Sequence, residues 1–365
     1  MARFGSLKPA AWLGVLLVLA HDPALTVGAG AGSAAVAKVE AEGTVEVPAT
    51  SVPLSTFMSA AARKRFIELF AHPQQSPAPG ADIRIVRELD EQKNAPLVAR
   101  ARELYPVDIE RRVMGGVSVQ VITPKAGVAP ENRKRVLINL HGGGFQWGEN
   151  HGAQAESIPI AGLGRITVIA VAYRMAPEFK FPAASEDVAA VYRELLESHQ
   201  PGEIGIYGCS SGGVLTAESI AWFRKVKLPL PGAIGTFCGS AAEIAGDSRY
   251  VAPLLTGGRP PRSAPGAMSA PYFSDASPED PLVLPTRSPE LLAAFPPTLL
   301  IAGSRDHTVS SLFATQAALA RAGVEAELHV WDGMWHAFFF DPDLPESQEV
   351  YRVIVRFFDR HLARS

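Results

Sequence analysis

Two adjacent serines sit between glycines in "IGIYGCSSGG", Ile204 to Gly213, directly after an apolar run of strand character. Gly208-Cys209-Ser210-Ser211-Gly212 matches the pattern Gly-x-Ser-x-Gly with Ser210 at its centre. In that pattern the serine occupies a sharp strand-to-helix turn, and side chains two positions away would collide, so glycine stands there. Centring the pattern on Ser211 would need glycine at position 209, which is Cys209. Ser210 is the candidate nucleophile.

A serine hydroxyl attacks well only when a base takes its proton, and the oxyanion it creates needs donors aimed at it. "LHGGGF", Leu140 to Phe145, ends another apolar run, and its three glycines let backbone N–H groups approach a substrate. The N–H after the nucleophile, that of Ser211, is the expected supplement. His141 reads as a residue that holds this loop. A phosphate loop is excluded: Gly143 and Gly148 have its spacing, but Glu149-Asn150 stands where Lys-Ser/Thr is required.

On a sheet of this kind the triad runs in the chain order Ser, acid, His. Of the nine histidines, His336 in "DGMWHAFFF" follows the last apolar strand by a few residues and lies in a loop. His141 and His151 precede the nucleophile, His329 falls within the last strand, and His361 falls in the final helix. His307 precedes the last strand, which makes it a weaker base. The acid should follow the preceding strand, where "PTLLIAGSRDHTV" presents Asp306 shortly after Gly303. Asp306 would fix the tautomer of His336 and stabilise its charged form. Asp332 is nearer in sequence but would have to fold back within its own loop. Together these residues describe a serine hydrolase.

Such residues need a frame that brings strand ends together. "RVLINL", "ITVIAVAY", "EIGIYG", "GAIGTFC", "PTLLIAG" and "EAELHVW" read as strands. "FPAASEDVAAVYRELLES", "GVLTAESIAWFRK", "SLFATQAALARAG" and "SQEVYRVIVRFFDRHLA" read as the helices between or after them. Apolar strands alternating with helices give an α/β fold whose mostly parallel sheet is covered on both faces. "IERRVMGGVSVQVITP" reads as a hairpin about Gly115-Gly116. "MSAAARKRFIELFAH" and "NAPLVARARELYP" read as helices ahead of it. From 239 to 289 the chain is crowded with Pro, Gly, Ser and Asp, an irregular insertion that is either a lid or a surface excursion.

The 365 residues are 47% hydrophobic and 19% charged, enough for a sizeable core. A net charge of −3 gives no reason to expect a surface for nucleic acid or an anionic membrane. The short basic runs Arg63–Arg65 and Arg133–Arg135 read as solvated. Zinc-type cysteine spacing and His-Glu-x-x-His are missing, so no metal is expected. The first residues, "MARFGSLK", are basic, and an apolar run from Pro9 to Ala20 and small residues follow. That order is a secretory signal peptide over 1–29, too short in its apolar part for a stable membrane anchor. Both Val27-Gly28-Ala29 and Ala29-Gly30-Ala31 suit cleavage. The expected organisation is then a linker at 30–53, a helical cap region at 54–108 and a catalytic domain at 109–365. Export would place the protein in the periplasm or outside the cell, where Cys209 and Cys238 either pair or remain two buried thiols.

"HGGGF", "YRMAPEFKFPAASED", "GCSSGG", "FPPTLLIAGSRD" and "HAF" occur in an order that resembles the hormone-sensitive-lipase-like carboxylesterases of the α/β-hydrolase fold. The resemblance runs from about Ile109 to the C-terminus. It implies a triad of Ser210, Asp306 and His336, an oxyanion hole from the backbone of Gly143, Gly144 and Ser211, a helical cap over the acyl pocket, a small-molecule ester substrate and no cofactor. Three positions depart from the family pattern. Cys209 stands where an acid is usual, Ser211 where alanine is usual, and Ala337 replaces a glycine after the histidine. The same triad would serve lactones, amides or acyl transfer, and a ligand-binding protein on this fold is the non-enzymatic alternative.

Overall fold

The computed structural model describes residues 36–71, 80–261 and 271–363. The expected signal peptide lies outside the described residues. The chain forms two units, Met1–Val52 and Pro53–Ser365. In the first, β1 (Lys38–Val39) and β2 (Val45–Glu46) pair as a short antiparallel hairpin within the segment expected to be a linker. Its turn is closed by Glu40 N–H on the Thr44 carbonyl at 2.8 Å and uses Gly43 at φ +92°. Such a hairpin leaves almost no periodic trace in the sequence.

The second unit is built on eight strands: β3 (Val107–Met114), β4 (Val117–Pro124), β5 (Val136–Leu140), β6 (Thr167–Val171), β7 (Ile204–Cys209), β8 (Ala233–Phe237), β9 (Thr298–Gly303) and β10 (Ala326–Trp331). Their order across the sheet is β10-β9-β8-β7-β5-β6-β4-β3. β5 through β10 pair in parallel, while β4 pairs antiparallel with both β6 and β3. Gly115 and Gly116, at φ +57° and +80°, form the two-residue turn between β3 and β4, where both residues need positive φ.

Alternate strand residues serve two cores, and this is why the strands read as unbroken apolar runs. Val136, Ile138 and Leu140 of β5 and Ile204 and Ile206 of β7 face one core, shared with α4 (Ala183–Leu195) and α5 (Ser211–Lys225). Leu137, Tyr207 and Cys209 face the other, shared with α3 (His151–Gly164) and the last helix, Pro345–His361. α1 (Ala60–Phe70) and α2 (Ile83–Leu104) add Ala62, Val98 and Ala101 to that second core.

Four differences from the sequence reading have physical causes. α2 begins at Ile83, capped by the Asp82 side chain on Arg84 N–H, and runs through Pro96, where a start near Asn94 was expected. Its first half is polar and lacks an apolar stripe. α3 left no signal because it is buried on nearly every side and carries Pro159, so no 3.6-residue period appears. Inside the insertion, α6 (Asp247–Leu255) buries only Ser248 and Ala252 while Tyr250, Val251 and Leu254 face outward. Arg135 is 3% exposed rather than solvated, and its guanidinium donates to the Leu362 and Ala363 carbonyls and to Asp359 at 2.7, 2.9 and 2.9 Å.

Candidate active site

Ser210 joins β7 to α5 at φ +58° and ψ −122°, a conformation that a residue with a Cβ holds only when its surroundings enforce it. Its N–H donates to the Phe237 carbonyl at 2.7 Å, which locks the turn to β8. The flanking glycines are required by contact. A Cβ on Gly208 would stand 2.2 Å from the Leu140 carbonyl oxygen, and one on Gly212 would stand 1.7 Å from it.

The loop after β5 runs beside this turn. Gly143, Gly144 and Phe145 have φ of +116°, +60° and +59°. The Gly143 carbonyl accepts from Gln146 and Trp147 N–H at 2.9 and 3.2 Å, which folds the loop back on itself. The N–H groups of Gly143 and Gly144 engage no acceptor among the described residues. Ser211 opens α5, where the first N–H groups of a helix are free. His141 holds the loop from inside. Its ring stacks on Tyr173 with centroids 4.3 Å apart, and its Nδ1 lies 2.7 Å from the Gly142 carbonyl oxygen. Burial lowers its pKa to about 4, so it is a neutral donor rather than a base.

His336 reaches both partners. Its Nε2 is 3.0 Å from Ser210 Oγ and its Nδ1 is 2.8 Å from Asp306 Oδ1. Asp306 is fully buried, and the same Oδ1 also accepts from Thr308 N–H and Oγ–H at 2.9 Å each. Burial opposes the Asp306 charge, but the His336 charge and hydrogen bond outweigh it and hold the pKa at about 2. For His336, burial favours the neutral ring, while the Asp306 charge and hydrogen bond win and raise its pKa above the ordinary 6.5. The pair thus keeps an ionised acid beside a base that gains charge readily.

Each loop is braced by its neighbours. The acid loop receives the Ser248 hydroxyl of α6 on the His307 carbonyl at 2.9 Å, and Ser310 N–H donates back to Ser248 Oγ at 3.0 Å. Arg305 N–H donates to the Met334 carbonyl at 2.9 Å, tying the acid loop to the base loop. Trp335 packs edge-on against Phe66 and Phe70 of α1 at 6.0 and 5.9 Å, so α1 supports the base from the other side. Ala337, next to the base, takes φ +55° and ψ +30°, the left-handed conformation that glycine adopts without strain.

The rival residues are engaged elsewhere. Asp332 accepts from Ser55 and Ser304 hydroxyls, not from His336. His307 lies against both candidate residues, with its Nδ1 3.5 Å from Asp306 Oδ1 and its ring 4.7 Å from that of His336. Burial first, then the His336 charge, lowers its pKa to about 4.

Cys209 and Cys238 are free and buried. Burial raises both thiols, Cys238 to about 11. Ligand atoms of Cys238, Asp306 and His336 lie within 4.8 Å of one another. The histidine and the aspartate are already bonded to each other there and the thiol is held protonated, which is not the donor set of a thiolate metal site.

The sequence reading missed Glu156. This residue of α3 is 4% exposed and accepts Gly142 N–H on Oε1 at 2.7 Å. Its Oε2 accepts Asn139 Nδ2–H and Cys209 N–H at 2.9 and 3.1 Å. Burial pushes its pKa up to about 8 against the pull of those three donors. Glu156 thus brings a carboxyl group from α3 to the turn at Ser210, where Cys209 supplies none. A lone Glu within a run of small and apolar residues was the available signal.

Residues 137–340 match the family model described as the alpha/beta hydrolase fold. An acetyl-hydrolase of Streptomyces hygroscopicus is 30% identical over 225 residues, 60% of this chain and 73% of that protein. The crystal structure of esterase E25 superposes with a TM-score of 0.73 at 29% identity, covering 87% of this chain and 99% of that one. An esterase from the bacterial hormone-sensitive lipase family gives 0.70 at 27% identity, covering 84% and 99%. With this sheet order and the serine at the strand-to-helix turn, these matches make the chain a member of the alpha/beta hydrolase family, in its hormone-sensitive-lipase-like esterase branch, and a carboxylic ester hydrolase.

Proposed function

We propose that the protein is a serine carboxylesterase acting on short- to medium-chain esters through an acyl-enzyme. The observation that carries this is the unbroken chain from Ser210 Oγ through the His336 ring to Asp306, at 3.0 and 2.8 Å. His336 Nε2 takes the Ser210 proton as Oγ attacks the ester carbonyl carbon. Asp306 holds the Nδ1–H tautomer and stabilises the imidazolium that forms. The carbonyl oxygen becomes an oxyanion within reach of the Gly143, Gly144 and Ser211 N–H groups, each such donor contributing about 3–4 kcal/mol. Collapse expels the alcohol, which takes the proton from His336. Water then gives its proton to His336 as its oxygen attacks the acyl carbon, and collapse breaks the acyl–Oγ bond, releasing the acid as His336 returns the proton to Ser210 Oγ.

A preference for short acyl groups is supported by the name of the Streptomyces relative, an acetyl-hydrolase. Hydrolysis of p-nitrophenyl esters from acetate to laurate tests it: turnover should peak at the short end, and a peak at laurate would refute the chain-length reading. Export is supported by the basic, apolar and small-residue order of residues 1–29. N-terminal sequencing of the protein made in a bacterial host should read from Gly30 or Gly32; a cell-associated product that still begins at Met1 would contradict export.

A further inference from the structure

We propose that Glu156 is a positioning residue that sets the oxyanion loop against the nucleophile. This rests on the reading of Ser210 as nucleophile and of Gly143, Gly144 and Ser211 as oxyanion donors. One carboxylate spans the two segments that must be in register. Oε1 takes the N–H of Gly142, immediately before Gly143 and Gly144, and Oε2 takes the N–H of Cys209, immediately before Ser210. Asn139, on the strand that leads into the loop, donates to the same Oε2. The Glu156 backbone carbonyl accepts the Tyr207 hydroxyl at 3.2 Å, so α3 is also fastened to β7. The packing leaves little slack, since a Cβ on Gly142 would stand 3.0 Å from the Cys209 carbonyl oxygen and 3.3 Å from Ser210 Cβ.

Two acceptor oxygens at a fixed separation are what this bridge needs, and only the ionised form, reached as pH rises through about 8, supplies both. All three groups facing the carboxylate are N–H donors. An amide of the same shape has one acceptor oxygen and turns an NH2 donor toward one of those donors. Glu156→Gln therefore keeps the volume and breaks one end of the bridge. The loop and the nucleophile then lose their common support, and the oxyanion donors no longer meet the tetrahedral oxygen at 2.7–3.1 Å, as stabilisation requires.

The test compares wild type, Glu156→Gln and Ser210→Ala at pH 9, where Glu156 is ionised, on p-nitrophenyl acetate, with affinity for an aryl trifluoromethyl ketone that adds to a serine as an oxyanion adduct. For Glu156→Gln, kcat should fall by about 100-fold, the cost of a small misplacement at the reacting centre. KM should stay within about threefold, as uniform binding is untouched, and ketone affinity should fall in proportion to kcat. Unchanged kcat, or a fall in kcat with ketone affinity retained, overturns the proposal. Turnover surviving in Ser210→Ala would instead refute the nucleophile reading, a separate outcome. A wild-type measurement covers a variant that does not fold. The Gly142 and Cys209 amide resonances should move together in one carboxyl titration, and independent or pH-invariant shifts would overturn the bridge.

Discussion

The carbonyl oxygen of Leu140 lies 1.7 Å from the place a Cβ on Gly212 would occupy. The last residue of β5 and the first turn of α5 are thus in direct backbone contact beneath Ser210. Gly212→Ala should cost about 3 kcal/mol or more, because backbone must move on both sides. Gly116→Ala is the matched control: it meets nothing within 4 Å and bears only the strain of φ +80°, about 1 kcal/mol. Thermal unfolding of the two variants checks the difference, and equal losses would contradict it.

The pH dependence follows from the raised His336 pKa. The base must be neutral to accept the Ser210 proton. Activity is therefore lost as pH falls through that raised value, and the acid limb of kcat/KM should lie above pH 6.5. Asp306→Asn removes the charge that raises it, so the limb should move to lower pH while kcat drops by about 10⁴-fold. A limb that stays in place when Asp306 is neutralised would show that another group titrates.

Cys209 and Cys238 flank the site without being reactive. Both are fully buried, and burial raises both thiols. Native protein should leave both unlabelled by Ellman's reagent over hours, and denatured protein should release two equivalents of thiolate. Dithiothreitol should not change activity. Labelling of the native protein would place at least one thiol in solvent.

Ala337 holds a left-handed conformation beside the base. Ala337→Gly should raise stability by about 0.5–1 kcal/mol, the reverse of the usual penalty for alanine at positive φ. Differential scanning calorimetry reads this as a higher Tm. A lower Tm would mean that the Ala337 methyl, packed against the second core, contributes more than the strain costs.

The grouping of Ser210, His336 and Asp306 was legible because its parts are local. Ser210 is announced by glycines two positions away on either side, and Asp306 and His336 each follow an apolar strand closely enough to be placed at its tip. The parallel sheet was legible because both faces of β5 through β9 are buried. What could not be read were elements whose burial has no period. α3 is covered nearly all round and so carries no stripe, and Glu156 was lost with it. α6 turns its apolar side outward and leaves no inward pattern. The antiparallel pairing of β4 with β6 depends on contacts between residues 119–122 and 168–171, which no local spacing encodes.

The most direct measurement is the fate of a fluorophosphonate on wild type and on Ser210→Ala, followed by peptide mass spectrometry and ester turnover. The account predicts one adduct per chain on the peptide carrying Ser210, complete loss of turnover on labelling, and a variant that takes no label and has lost at least about 10³-fold in kcat. An adduct on Ser211 or elsewhere, or turnover that survives in Ser210→Ala, would contradict it.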